Sequence, residues 1–253
     1  GLFVFWLALF FWLYKLWEQK PSYSLSCLLG LIMGLAALTR PIVLLFPLWV
    51  GGWQLIRHYQ NKFLRAKIFW SHILILLVMI ITICPWTIRN AIRYKRFILI
   101  TTSVKVAMQG MDIKTAGGEL KFQKENKKLL PAGEKSNILK TTGAYLKLYL
   151  LKIARLWFNL GFPSKPSLGT WLTAFCHLIF FVLSLFLFMR QKDIWGELMV
   201  PWSFFFYVSF FHVFFFTARV RYIMPAIPIV LITFVLSFRN LIYLKVKEKQ
   251  TLK

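Results

Sequence analysis

Seven stretches of this chain run for 15 to 23 residues with no more than one formally charged side chain each: 1–17, 24–38, 41–56, 68–86, 168–189, 195–217 and 222–239. A bilayer core about 30 Å thick is crossed by about 20 apolar residues in a helix. In hydrocarbon every backbone N–H and C=O needs an internal partner, which a helix supplies. The expectation is therefore an all-α polytopic membrane protein with about seven transmembrane helices. Two of them, 24–38 and 41–56, are short, roughly 22–25 Å at 1.5 Å per residue. They flank Thr39-Arg40-Pro41. They are either two tilted spans or one broken helix kinked at Pro41.

Composition agrees. A soluble domain carries about 25% charged and about 45–50% apolar residues. Here the figures are 16% and 58%, with 26 Phe and 11 Trp among 253 residues. Mean hydropathy is +0.63. A disordered chain is excluded by this much apolar surface, and a water-soluble enzyme fits poorly.

The charge is lopsided, with 32 Lys plus Arg against 8 Asp plus Glu. Short loops on the inner side of a membrane collect cations. With the N-terminus outside, the inner segments hold 13 cations and the short outer turns only Arg40, Arg219 and Arg221. The other 16 lie in 87–167, a loop long enough to be exempt from that bias. Residues 1–86 then carry the first four spans, 87–167 an extracytoplasmic loop, 168–239 the last three spans, and 240–253 a basic inner tail. Within the loop, 101–137 is polar. Residues 138–160 place Lys140, Lys147, Lys152 and Arg155 on one helical arc. A charge near mid-span costs about 2.5–3.5 kcal/mol. The stretch therefore reads as an in-plane amphipathic helix whose basic face meets anionic lipids. Nucleic acid is not an expected partner, because the cations flank spans and no recognition motif accompanies them.

The chain opens Gly1-Leu2-Phe3 without Met, and 1–17 lacks the basic start and cleavage site of a signal peptide. An internal start is expected, with the chain part of something longer. Cys27, Cys84 and Cys176 sit in apolar runs without metal-ligand spacing and read as small buried hydrophobes. No cofactor is evident and no metal site is expected. GxGxxG, GxxxxGK[ST], HExxH, CxxC and GxSxG are all missing. Gly30 and Gly34, with Ser26 one turn earlier, form a small-residue stripe for close helix approach. His177 and His212 read as neutral imidazoles packed between helices, and His58 and His72 flank the inner loop without an assigned role.

The informative cations are on the outer side. Arg40 interrupts an apolar stretch, Arg89 follows Pro85-Trp86, and Arg219 and Arg221 precede Tyr222. An ionisable group at membrane depth is costly and usually pairs or serves a site. The planar guanidinium suits phosphate because it gives two parallel charge-assisted hydrogen bonds.

The run from Gly30 to Pro41, GLIMGLAALTRP, resembles the GLxxGLAxLTRP segment of polyprenyl-phosphate-dependent membrane glycosyltransferases. Residues Pro85-Trp-Thr-Ile-Arg-Asn90, then Arg96-Phe97 and Ile100-Thr-Thr-Ser103, resemble their PWxxRN…RFxxISTxG stretch. Arg219-Val-Arg-Tyr-Ile-Met-Pro-Ala-Ile-Pro228 resembles their RYxxPxxP entry to a late helix. This is the GT-C superfamily of protein mannosyltransferases and aminoarabinose transferases, and the order and spacing of the three motifs match it. The resemblance implies sugar transfer on the outer face of a membrane, in bacteria the inner or plasma membrane. The donor is a polyprenyl-phosphate-linked sugar and the acceptor a glycan, lipid or protein. It places Arg40, Arg221 and Tyr222 at the carrier phosphate, with Arg219 and Arg89 beside them. The family's acidic general base lies in a first outer loop that would precede Gly1. Asp112 is the acid of this chain weighed for that role, and the chain alone is expected to be inactive. The family's Gly-Gly-x-Asn after ISTxG is replaced by Val104-Lys105-Val106-Ala107. A lipid-linked-sugar translocase or transporter, or an inactive membrane scaffold, is the competing reading.

Overall fold

The computed structural model describes residues 1–101, 146, 149–150, 152–154, 156–157, 168–190, 195–214, 226–236 and 239, and among these there is no strand. The chain divides into two compact units, Gly1–Thr102 and Ser103–Lys253.

In the first unit α1 (Leu2–Gln19) buries Phe3, Leu7, Phe10, Tyr14 and Trp17. That alternation of four and three residues makes a single helical stripe. Helix α2 (Tyr23–Thr39) starts at Ser22, whose hydroxyl accepts from the Leu25 N–H, a side-chain N-cap. It stops at Arg40 because the residue before a proline is driven out of the α region. Arg40 is extended, with φ −146° and ψ 111°. Pro41 then opens a 3-10 turn (Pro41–Leu45) leading into α3 (Phe46–Arg57).

The ends of α1 settle whether α2 and α3 are one kinked helix or a hairpin. Trp17 Nε1 donates to Ser26 Oγ at the start of α2. The next residue, Glu18, accepts from Gln54 Nε2 near the end of α3. The far ends of α2 and α3 therefore meet at one end of α1, so the chain reverses at Thr39-Arg40-Pro41.

Helix α4 (Lys62–Tyr94) has 33 residues, roughly 50 Å of helix. It is long and apolar enough to cross a membrane. The small-residue stripe of α2 lies against it. A Cβ on Gly30 would meet the Ile75 carbonyl oxygen at 2.6 Å, and one on Gly34 would meet the Thr82 Cβ at 2.5 Å. Since 30 pairs with 75 and 34 with 82, the two helices run parallel. One sequence boundary needs correction here. The span expected to end at 86 continues through Pro85 to Tyr94, so 87–94 is helix and not loop. The proline removes one N–H and the helix carries on, ending only at Lys95, which is left-handed with φ 50°.

The second unit contains α5 (Leu168–Arg190), α6 (Trp195–Phe214) and α7 (Ile227–Leu236), so the last three expected segments are helical over the described residues, and α4 is the helix among the described residues that is long and apolar enough to cross a membrane. Aromatic stacking ties α5 to α6: Phe181 to Phe205 at 5.3 Å and Phe188 to Trp202 at 5.2 Å. These pairs run in opposite directions along the chain, so α5 and α6 are antiparallel. Helix α7 is held by two polar contacts. Ser184 Oγ donates to the Val230 carbonyl at 3.0 Å, and Trp202 Nε1 donates to Thr233 Oγ1 at 2.9 Å.

One member of the expected basic face, Lys152, is corrected. Lys152 is buried, 7% exposed, and its ammonium donates to the Val213 carbonyl at 3.0 Å. Leu146, Leu150 and Ile153 face outward. Tyr149 meets Phe214 at 4.9 Å and Trp157 stacks on Phe205 at 3.9 Å. The described helical residues thus run along the last turns of α6, antiparallel to it. A 3.6-residue period separates two faces without saying which is inside. Here a backbone carbonyl offers the ammonium a charge-assisted partner, and the Trp157 stack fixes the inward side. Arg155, Lys140 and Lys147 lie outside the described residues.

The three cysteines are also corrected: all are free and exposed. An apolar run marks a residue as apolar-compatible, not as facing other protein.

Candidate functional site

The break after α2 positions Arg40. Its N–H bonds to the Ala36 carbonyl at 2.8 Å, and the same carbonyl accepts from Thr39 Oγ1 at 2.6 Å. These bonds close the helix and hold the Arg40 backbone extended. The half-buried guanidinium lies over the Phe3 ring at 5.6 Å, so the start of α1 sits beside the α2–α3 turn. A guanidinium within about 6 Å of a ring centroid gains a cation–π attraction.

The last turns of α4 carry the second motif. Trp86, Thr87 and Asn90 each hydrogen-bond a carbonyl of the segment that folds back after the Lys95 turn. Trp86 Nε1 donates to Ile100 at 3.1 Å, Thr87 Oγ1 to Leu99 at 2.8 Å, and Asn90 Nδ2 to Ile98 at 3.5 Å. Arg89 is exposed, with its guanidinium over the Trp86 ring at 5.0 Å.

The parallel register of α2 and α4 brings these two arginines to one end of the unit. Arg40 is six residues beyond Gly34 and Arg89 seven beyond Thr82. At 1.5 Å per residue both lie roughly 10 Å past that contact. The only acid in residues 1–101 is Glu18, and it sits at the opposite end. There it accepts from Gln54 Nε2 and lies 3.8 Å from Arg57 and 4.0 Å from Lys15. Arg40 and Arg89 therefore share the end of the unit opposite Glu18. A guanidinium can hold phosphate or another anion through two parallel charge-assisted hydrogen bonds.

Sequence reasoning missed three features. Glu18 and Gln54 form a lock at the end of the unit opposite Arg40. The signal was there: one acid in 101 residues, and one amide inside the apolar run 41–56. His72, whose sequence setting assigns it no role, is buried. Its Nδ1 lies 2.9 Å from the Ile68 carbonyl and its Nε2 3.1 Å from the Tyr14 hydroxyl. The carbonyl can only accept, so Nδ1 carries the proton and Tyr14 donates to Nε2. The latch made by Trp86, Thr87 and Asn90 was also unread.

Arg219, Arg221, Tyr222 and Asp112 lie outside the described residues. Among the described residues no group of three His, Cys, Asp or Glu side chains is placed to hold a metal. Comparison with family models, with curated proteins and with solved structures finds no match.

Proposed function

We propose that the chain belongs to a polytopic membrane glycosyltransferase. It takes a sugar from a polyprenyl-phosphate carrier and passes it to a glycan, lipid or protein acceptor on the outer face. The observation that carries this reading is the cationic end of the first unit: Arg40 and Arg89 at one end and Glu18 at the other. The distribution of side chains supports a membrane setting. Large apolar groups face outward, with Trp12 60%, Ile81 67% and Phe63 85% exposed, while Gln54, Ser71 and His72 are buried. An apolar exterior with a few polar groups held inside suits hydrocarbon surroundings.

In the proposed reaction the bond between the anomeric carbon and the phosphate oxygen breaks, and its electron pair leaves with the phosphate. The acceptor oxygen bonds to the anomeric carbon and gives its proton to a general base. Arg40 and Arg89 stabilise the charge growing on the departing phosphate. By the motif resemblance, Arg219, Arg221 and Tyr222 share that role. Asp112 is the acid of this chain weighed as that base, which the motif resemblance places elsewhere.

One observation favours the second reading, a lipid-linked-sugar translocase. The apolar stretch is broken at Arg40-Pro41 by a 3-10 turn, and interrupted helices at membrane depth also mark transport sites. A labelled polyprenyl-phosphate sugar in proteoliposomes of the natural protein separates the two. Covalent transfer to acceptor that falls at least tenfold in Arg40→Ala, with normal expression, supports the transferase. Movement of label across the bilayer without transfer supports the translocase.

A further inference from the structure

Three consecutive carbonyls, Ile98, Leu99 and Ile100, are taken by three side chains from the last turns of α4. A segment with this many side-chain bonds to its backbone is docked, and the docking works in both directions. The carbonyl of Ile100 fixes the Trp86 indole through its N–H, and the indole face carries the Arg89 guanidinium at 5.0 Å. A long cationic side chain that is ordered before its ligand arrives loses less rotamer freedom on binding. Arg89 is exposed.

We propose that Trp86 is a positioning residue. Held by the Ile100 carbonyl, it presents Arg89 in the orientation that binds the phosphate of the polyprenyl carrier at this end of the unit. The inference rests on the carrier-phosphate reading and deepens it, because it turns Arg89 from a surface cation into a preorganised ligand. Trp86 makes no contact with phosphate and acts only through Arg89.

The test is a double-mutant cycle in the natural protein, reconstituted in lipid nanodiscs, with a polyprenyl monophosphate as the probe. Arg89→Ala is expected to weaken binding about tenfold, and Trp86→Leu about threefold. The double variant is expected to bind no more weakly than Arg89→Ala alone, since Trp86 has nothing left to position. A purely structural role for Trp86 gives a different result: the Trp86→Leu loss repeats in full in the Arg89→Ala background. That additivity overturns the proposal, and so does native affinity in Trp86→Leu. Where Leu does not fold, Trp86→Phe keeps a ring face without the N–H, and the same non-additivity is expected of it. If Arg40→Ala and Arg89→Ala both bind as the native protein does, the carrier-phosphate reading itself falls, and Trp86 has no function of this kind.

Discussion

A Cβ added to Gly34 of α2 would lie 2.5 Å from the Thr82 Cβ of α4, so the two helices meet with no room for a methyl group. That contact sets their parallel register and with it the shared end of Arg40 and Arg89. Gly34→Ala is expected to destabilise the protein by about 1–3 kcal/mol, the usual cost of overpacking. Gly52 on α3 meets nothing within 4 Å, so Gly52→Ala is expected to stabilise by up to about 1 kcal/mol through helix propensity. Thermal unfolding of both variants in one detergent checks the contrast. Equal effects would mean that α2 and α4 do not touch at Gly34.

The Glu18 lock makes a graded prediction. Gln54 is buried, 2% exposed, and donates to Glu18. Arg57 is about half exposed, so its ion pair is worth little. Glu18→Gln, which keeps an acceptor for Gln54, is expected to cost less than about 1 kcal/mol. Glu18→Ala strands a buried amide and is expected to cost about 1–3 kcal/mol. The same unfolding assay reads both.

Lys152 distinguishes a buried ammonium from a headgroup contact. Lys152→Met keeps the packed stem and is expected to cost under about 1.5 kcal/mol. Lys152→Glu puts a carboxylate against the Val213 carbonyl and is expected to cost more than about 3 kcal/mol, enough to lose folded protein. On an in-plane helix facing headgroups, both changes would be mild.

Some of this was legible in the sequence. The stripe at Ser26, Gly30 and Gly34 announces close packing, since only small side chains let backbones approach. It does not name the partner, and the structure supplies α1 at Ser26 and α4 at the glycines. The Thr39-Arg40-Pro41 break was legible because the pre-proline restriction is local. The end of α4 was misjudged at Pro85 for the opposite reason. The local penalty of a proline is outweighed by non-local bonds from Trp86, Thr87 and Asn90 to a segment that returns only after the Lys95 turn. The periodicity of 138–160 revealed two faces, but which one is buried depends on what packs against it. Arg40 and Arg89 could be singled out by their residue type and setting. Their common end follows from the alternation of the spans, and the contacts of Gly30 and Gly34 with α4 put both roughly 10 Å beyond Gly34.

The proposed function requires α4 to cross the membrane with its Arg89 end outside, and single cysteines at its two ends test this directly. Cys27, Cys84 and Cys176 are exposed and are first replaced by Ser. Cysteine is then placed at Lys62 or at Arg93, both exposed. In intact cells a membrane-impermeant maleimide is expected to label Arg93→Cys and to reach Lys62→Cys only after permeabilisation. Labelling of Lys62→Cys in intact cells with protection of Arg93→Cys would place the arginines on the inner face, and equal labelling of both would mean that α4 does not cross.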